Sequence, residues 1–393
     1  MRALCWEGGG KLAVHDVPEP SIIGPGDAIV RVRASSVCGS DLHLINGYLP
    51  AMREGDILGH EFMGEVVEVG PDVTGARVGD RVVVGSVVAC GGCWFCRTGQ
   101  FSLCDNSNPE PLPTERLWGH TPAGIIGYSH AAGGFAGSHA EYVRVPFADV
   151  GMFAVPEGVP DESVVFASDA LPTGWMAADF CGLSGGEVVA VWGAGGVGQM
   201  AARAAQLLGA ERVIVIDRLP DRLATAERRL GVETLDYSEV DVLDALREMT
   251  GGRGPDACIE AVGMEAHSAG PSYVYDRVKQ AARLQTDRPT AVRQAILACR
   301  KGGTVSIVGV FGGYVDKFPL GAAMNKALTL RMGQMHAQRY IPMLLERLAA
   351  GQIDPGYLAT HPMPLDEGVT GYEMFERKED GCLRAVLLPA SAA

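Results

Sequence analysis

The glycine motif Gly193-Ala194-Gly195-Gly196-Val197-Gly198 constrains the fold of this chain more than any other feature of its sequence. It directly follows an apolar run, Glu187–Trp192, and it opens an alanine-rich stretch of helical character, Gln199–Leu208. The alternation continues with an apolar run at Arg212–Ile216 and a helical stretch at Asp221–Leu230. Strands that alternate with helices in this way predict an α/β domain with a doubly wound parallel sheet.

The residues of this motif also indicate a dinucleotide site. We expect Gly193 to permit the tight turn, Gly195 to let a pyrophosphate approach the backbone, and Gly198 to let helix and strand pack closely. Asp217 ends the next strand, 19 residues after Gly198, where an acidic side chain can accept hydrogen bonds from the ribose hydroxyls. A carboxylate there repels a 2′-phosphate and favours NAD over NADP, a preference that the neighbouring Arg218 weakens.

Three further apolar runs extend the predicted sheet: Ala257–Ala261, Thr304–Val308 and Thr329–Met332. The stretch between the strand that ends near Val262 and the Gly302-Gly303 turn is longer than a helical crossover between two strands needs. We therefore predict an extra loop from about Met264 to Pro289, with a helix at Tyr275–Leu284. A surface insertion without functional consequence is an equally good interpretation.

The N-terminal part of the chain follows a different pattern. Its short apolar runs, such as Ala28–Val32, Glu65–Val69 and Arg81–Val84, are bounded by turn signals. This pattern predicts a β-rich, barrel-like domain. The last stretch of the chain contains a predicted helix at Ile341–Ala350 and a predicted strand at Leu383–Leu388.

The charge and hydropathy of the chain exclude several classes of partner. The 393 residues include 33 Lys and Arg against 47 Asp and Glu, a net charge of −14, which argues against nucleic acid and anionic membranes. The longest apolar stretch, Val188–Gly198, holds 11 residues and is too short to span a bilayer. Glu7 and the glycines after it interrupt the apolar run that a signal peptide requires, so we expect a cytoplasmic protein.

Four cysteines with the spacing Cys90-x2-Cys93-x2-Cys96-x7-Cys104 form a strong metal-binding signal. In a reducing compartment, such a cluster is more typical of a metal site than of disulfides. Closely spaced thiolates can surround one tetrahedral zinc ion, and four protein ligands leave no open coordination position. We predict a structural zinc site here, in preference to unliganded core cysteines.

A second group of metal-binding and catalytic residue types is dispersed along the chain: Cys38, Ser40, His43, His60, Glu61 and Asp169. Each has an ordinary explanation when it is taken alone. Cys38 could be a small core residue, His60 a hydrogen-bonded core histidine, and Asp169 a helix cap. Only their combination with the cysteine cluster and the glycine motif indicates a catalytic site.

In this order, the motifs resemble the zinc-dependent medium-chain alcohol dehydrogenases over essentially the whole chain. The matching segments are Cys38-Gly39-Ser40-Asp41, Gly59-His60-Glu61, the four-cysteine loop, Asp169 with Pro172-Thr173-Gly174, and the glycine motif. Within this family, the chain is most similar to the branch that contains glutathione-independent formaldehyde dehydrogenase. The resemblance implies a GroES-like catalytic domain, formed by residues 1–170 and 335–393, and a Rossmann domain that binds NAD at residues 171–334.

The resemblance implies a catalytic zinc ion held by Cys38, His60 and Asp169, with water or substrate in the fourth position. Many relatives have a second cysteine where this chain has Asp169, so the ion is expected to be less thiolate-rich and a stronger Lewis acid. Two roles are open for Glu61, which either supports the ligands from behind or is itself an occasional ligand. Ser40 and His43 are expected to relay the proton of the alcohol through the nicotinamide ribose to solvent.

The resemblance also implies further contacts with the cofactor. Some relatives have a pyrophosphate-binding arginine where this chain has Gly39, but Arg384 resembles another phosphate-binding position. Arg222 resembles a basic residue near the adenosine ribose. The residues expected to flank the nicotinamide are Thr173, Val308 and Val310.

Three functions are open at this point. The favoured one is hydride transfer between a primary alcohol, or a hydrated aldehyde, and NAD. A narrower alternative is a formaldehyde dehydrogenase or dismutase that retains tightly bound NAD. The third is a non-catalytic zinc protein that binds nucleotide, and the predicted proton relay argues against it. A small alcohol or aldehyde is the expected partner, and the resemblance suggests a homodimer or, as in microbial members, a homotetramer.

Overall fold

A computed structural model describes residues 1–264, 266 and 287–389 of the protein. The chain divides into two compact units. Unit 1 comprises Met1–Pro172 and Met335–Ala393, and unit 2 comprises Thr173–Gln334. The helix predicted at Tyr275–Leu284, and most of the loop predicted around it, lie outside the described residues.

The strands of the described residues are β1 (Arg2–Trp6), β2 (Leu12–Asp16), β3 (Ala28–Ser36), β4 (Glu61–Val69), β5 (Arg81–Val84), β6 (Val87–Val88), β7 (Gly124–Ile125), β8 (Tyr142–Val145), β9 (Met152–Ala154), β10 (Val188–Trp192), β11 (Arg212–Asp217), β12 (Glu233–Asp236), β13 (Ala257–Glu260), β14 (Thr304–Ile307), β15 (Thr329–Met332), β16 (His361–Pro364) and β17 (Ala385–Leu388).

The helices of the same residues are α1 (Gly39–Ile45), α2 (Trp94–Arg97), α3 (Leu112–Trp118), α4 (Ala148–Gly151), α5 (Asp161–Val164), α6 (Ala170–Asp179), α7 (Gly196–Leu207), α8 (Pro220–Leu230), α9 (Val242–Met249), α10 (Thr290–Ala298), α11 (Leu320–Asn325), α12 (Ala337–Ala349) and α13 (Gly368–Arg377). None of them is long and apolar enough to cross a membrane.

Unit 1 is the predicted β-rich, barrel-like domain. Its main sheet has the order β16-β17-β3-β4-β5-β9, and β8 also pairs with β3. Alternate residues of β3 and β5, including Val30, Val32, Val82 and Val84, are buried in one apolar core. Strand β4 begins at Glu61, earlier than the predicted Glu65, because its first residues pair with β5 and are buried.

Unit 2 is the predicted doubly wound domain. Its six strands are parallel and have the order β12-β11-β10-β13-β14-β15. All five residues of β10 are buried, as expected of a central parallel strand that is covered on both faces. The strand order reverses between β10 and β13, and ligands of such sheets bind beside the carboxyl ends of the strands at this reversal. The glycine motif follows β10 directly, at this edge of the sheet.

Candidate active site

The predicted catalytic zinc ligands meet in unit 1, although they are far apart in the sequence. Cys38 precedes α1, His60 precedes β4 and Asp169 precedes α6. One donor atom from each of them lies within 4.8 Å of the others, and Cys38 and His60 are buried. Sulfur, nitrogen and carboxylate oxygen are all zinc donors, and three protein ligands leave a coordination position open. The donor set therefore fits a catalytic zinc ion.

The electrostatic surroundings of Cys38 favour its thiolate, which is the form that binds a metal. Burial disfavours the charged thiolate, but the positive charge of Arg384 and the contact with His60 outweigh it and lower the pKa of Cys38 to about 7. Neighbouring residues of the chain thus favour the metal-binding form of Cys38.

Asp41 supports His60 from the side opposite the ligand cluster. Its Oδ1 lies 3.0 Å from His60 Nδ1, and its Oδ2 accepts the backbone N–H of Cys38 at 2.9 Å. Burial opposes ionisation of Asp41, but His60 and this N–H lower its pKa. A carboxylate at Nδ1 keeps the proton on that nitrogen and leaves Nε2 for a metal. Asp41 is part of the Cys-Gly-Ser-Asp motif, but no role for it was predicted from the sequence.

The two residues of the predicted proton relay lie on the same short helix. The Ser40 hydroxyl is 3.4 Å from Cys38 Sγ and 3.4 Å from His60 Nε2. His43 follows one turn later on α1 and is buried. Tyr128, which the sequence did not indicate, is buried beside them and meets the His60 ring edge-on at 5.2 Å.

Glu61 and Arg384 lie next to the ligand cluster. Glu61 Oε1 accepts the backbone N–H of Ala170 at 2.8 Å, and its Oε2 is 3.8 Å from Arg384 Nη1. Burial and the neighbouring Cys38 raise the pKa of Glu61 to about 8, against the opposing charge of Arg384. Arg384 also donates to the Val37 carbonyl at 2.6 Å and is 3% exposed. The structure thus pairs Arg384 with a carboxylate in unit 1, and its contact with a cofactor phosphate stays a prediction.

The four cysteines of the predicted structural site also come together, with their sulfur atoms within 4.8 Å of one another. Backbone N–H groups approach them, with Cys90 N 3.2 Å from Cys104 Sγ and Cys93 N 3.4 Å from Cys90 Sγ. The side chain of Asn106 donates to Cys90 Sγ at 3.4 Å. Burial opposes the thiolate, but the backbone N–H groups of Gly92 and Cys93 and the side chain of Asn106 lower the pKa of Cys90 to about 7. Four thiols in this arrangement fit one tetrahedral zinc ion.

The glycine turn in unit 2 has the shape of a phosphate cradle. Gly193 has φ of +102°, a conformation that favours glycine, and a side chain on Gly198 would clash with the Gly193 carbonyl. A Cβ atom on Gly195 would meet Arg222 Nη1 at 3.6 Å and no other described atom within 4 Å. Gly195 is the N-cap residue of α7 and has no side chain to cap the start of the helix. The N–H groups of such a helix start suit a pyrophosphate.

Asp217 makes a contact that the sequence did not predict. Its Oδ2 accepts the backbone N–H of Ala194 at 2.7 Å, and its Oδ1 accepts that of Arg218 at 2.7 Å. The carboxylate thus fixes the glycine turn as well as ending β11. Thr173, Arg222, Val308 and Val310 belong to the same unit, and their contacts with a dinucleotide stay predictions.

Glu260 is a further buried carboxylate at this edge of the sheet, and the sequence did not indicate it. Its Oε1 accepts the backbone N–H groups of Val262 at 2.9 Å and Gly263 at 2.7 Å. The backbone of Val308 donates to the carbonyl of Glu260 at 3.0 Å. Glu260 therefore joins the loops that follow β13 and β14.

Comparisons with known proteins agree with this geometry. Residues 24–157 match the family model of the alcohol dehydrogenase GroES-like domain, and residues 196–276 match that of the zinc-binding dehydrogenases. An uncharacterised zinc-type alcohol dehydrogenase-like protein of Bacillus subtilis is 39% identical over 99% of this chain and 100% of its own length. The glutathione-independent formaldehyde dehydrogenase of the same organism is 34% identical over 96% of this chain and 94% of its own. The solved alcohol dehydrogenase TADH of Thermus sp. ATN1 superposes with a TM-score of 0.82, at 36% identity over 99% of both chains.

Proposed function

This chain belongs to the zinc-type medium-chain alcohol dehydrogenase family, and we propose that it transfers a hydride between a small primary alcohol, or a hydrated aldehyde, and NAD. The convergence of Cys38, His60 and Asp169 beside the Ser40 hydroxyl is the observation that carries this proposal. When bound, zinc supplies a Lewis acid that makes an alcohol hydroxyl easier to deprotonate, and NAD supplies the hydride acceptor.

Ser40 receives the proton in this proposal. Its hydroxyl lies 3.4 Å from both Cys38 Sγ and His60 Nε2, so it faces an alcohol oxygen that approaches these ligands. His43 lies one turn further along α1 and takes the proton onward. Glu61 holds the backbone beside Asp169 through Ala170 N, and so supports the ligands from behind.

The cofactor residues act in unit 2. The backbone of Gly193 to Gly198 and the start of α7 bind the pyrophosphate, and Asp217 accepts hydrogen bonds from the adenosine ribose. The negative charge of this carboxylate repels a 2′-phosphate and favours NAD. Arg218 and Arg222 add positive charge close to the ribose and phosphates.

The proposal is tested by metal content and by absorbance at 340 nm, a wavelength at which reduced nicotinamide absorbs. We expect about two zinc ions per chain, as in proteins with one closed and one open zinc site, and a 340 nm signal on addition of NAD and a short alcohol. Cys38→Ser is expected to abolish turnover and to keep NAD binding and the zinc of the four-cysteine site. Cys5→Ser is the matched control, because Cys5 is also buried in unit 1 but lies outside both clusters. A Cys38→Ser variant with normal turnover would refute the assignment.

A narrower candidate is formaldehyde oxidation with retained NAD. The observation that favours it is the 34% identity to a glutathione-independent formaldehyde dehydrogenase over 96% of this chain. It predicts that NAD copurifies with the protein and that formaldehyde is consumed without added cofactor. Activity that depends entirely on added NAD would exclude this candidate and would leave the alcohol dehydrogenase proposal intact.

A further inference from the structure

A chain of buried polar contacts extends from the predicted zinc ligand His60 through Asp41, whose Oδ1 lies 3.0 Å from His60 Nδ1, to the C-terminal helix of unit 1. Tyr372, on α13, donates from its hydroxyl to Asp41 Oδ2 at 2.9 Å, and it is separated from Asp41 by 331 residues in the sequence. His139 Nε2 lies 2.8 Å from the same hydroxyl. Tyr372 and His139 are 3% and 0% exposed, so water does not compete for these bonds.

The number of available protons fixes the direction of each bond. The single hydroxyl proton of Tyr372 goes to Asp41, so His139 Nε2 must donate to the tyrosine oxygen. The other nitrogen, Nδ1, then accepts from the Ser35 hydroxyl at 2.8 Å. This arrangement requires a neutral imidazole, and burial lowers the pKa of His139 to about 4. Each donor among Ser35, His139 and Tyr372 thus has an acceptor in the next group.

The same bonds determine how Asp41 meets His60. Asp41 Oδ2 is held by two donors, the Cys38 N–H and the Tyr372 hydroxyl, each at 2.9 Å. The carboxylate cannot rotate without losing both, and Oδ1 stays directed at His60 Nδ1, 3.0 Å away. His139 also packs beneath the turn before His60, since a Cβ atom on Gly59 would come within 2.6 Å of its ring.

We propose that Tyr372 is a positioning residue of the catalytic metal site, which acts through Asp41 to hold His60 with Nε2 directed at the metal. This inference rests on the zinc site of the proposed function. The competing explanation is that the hydroxyl only anchors α13 to the body of unit 1. Outer partners of metal ligands typically change metal affinity by about 10–100-fold when they are removed.

The experiment follows zinc loss to a chelator such as EDTA by elemental analysis. Tyr372→Phe keeps the ring and removes the donor, and we expect the catalytic zinc to leave about tenfold faster. The zinc of the four-cysteine site should leave at the wild-type rate. Tyr340→Phe is the matched control, because Tyr340 is also a buried tyrosine of unit 1. With Co2+ in the catalytic site, the thiolate-to-cobalt absorption band should shift in Tyr372→Phe and stay unchanged in Tyr340→Phe.

A double-mutant cycle with Asp41→Asn separates positioning from anchoring. If Tyr372 acts through Asp41, Tyr372→Phe has little further effect on zinc loss in the Asp41→Asn background. Two outcomes would overturn the inference. The fold-changes in the rate of zinc loss could multiply in the double variant, or Tyr372→Phe could lose its catalytic zinc as slowly as Tyr340→Phe. Wild-type protein with only the four-cysteine zinc would instead overturn the proposed function itself, before any variant is compared.

Discussion

Replacing Glu260 by glutamine is expected to change how the stability of the protein depends on pH. Glu260 ends β13 and is fully buried. Its Oε1 accepts two backbone N–H groups, and its Oε2 has no hydrogen-bond partner among the described residues. Burial raises the pKa of this carboxyl from 4.5 to about 7, against the N–H donors that favour its charged form.

The sign and size of the effect follow from this difference. Between pH 4.5 and about 7 the folded protein keeps a proton that the unfolded chain has lost. The stabilisation is therefore complete below pH 4.5 and is lost as the pH rises to about 7. A raised pKa of this size corresponds to roughly 3 kcal/mol in the free energy of unfolding. Glutamine carries no charge at any pH, so Glu260→Gln lacks this contribution.

Urea unfolding at about pH 5 and about pH 8 measures the difference when it is followed by tryptophan fluorescence, to which the buried Trp192 of the same unit contributes. From about pH 5 to about pH 8, the free energy of unfolding of the wild type should fall by about 2–3 kcal/mol more than that of Glu260→Gln. The exposed Glu239→Gln is the control and should follow the wild-type curve. Parallel pH curves for Glu260→Gln and wild type would refute the reasoning, because the folded carboxyl would then titrate as it does in the unfolded chain.

Three further predictions concern the dinucleotide turn and the cysteine loop. Gly195→Ala has room for its methyl group, so it should weaken NAD binding measured by calorimetry and leave the unfolding temperature within about 2 °C of wild type. Gly198→Ala clashes with the turn and should lower both the NAD affinity and the unfolding temperature. Equal losses of stability in the two variants would contradict this prediction. Asp217→Ala should raise the Kd for NAD more than that for NADP, and equal losses would mean that the carboxylate only fixes the turn. Asn106→Ala removes a donor to Cys90, so acid should release the structural zinc at a pH about half a unit higher; an unchanged release profile would refute that role.

Three features of this protein can be predicted from its amino-acid sequence: the fold class, the glycine turn and the four-cysteine cluster. Each of these depends on residues that are close together in the chain. The turn after β10 needs glycine at Gly193, where φ is positive, and at Gly198, where a side chain would meet the Gly193 carbonyl. The glycine spacing therefore predicts the shape of the turn. Cys90, Cys93, Cys96 and Cys104 lie within one loop, and their spacing alone brings the thiols together. The catalytic ligands are dispersed, and only the family resemblance joined them before the structure did.

The residues that surround those ligands are known only from the contacts of the folded chain. The family resemblance implied a phosphate contact for Arg384, which stays a prediction, and only the fold shows that Arg384 also lies beside Glu61. Asp41 and Tyr372 are 331 residues apart, and no local pattern connects them. A local backbone conformation restricts which residue types can occupy neighbouring positions, because steric clashes act over a few bonds. Contacts between distant segments impose no such local restriction, because they exist only once β3, α1 and α13 are packed around the same buried polar groups.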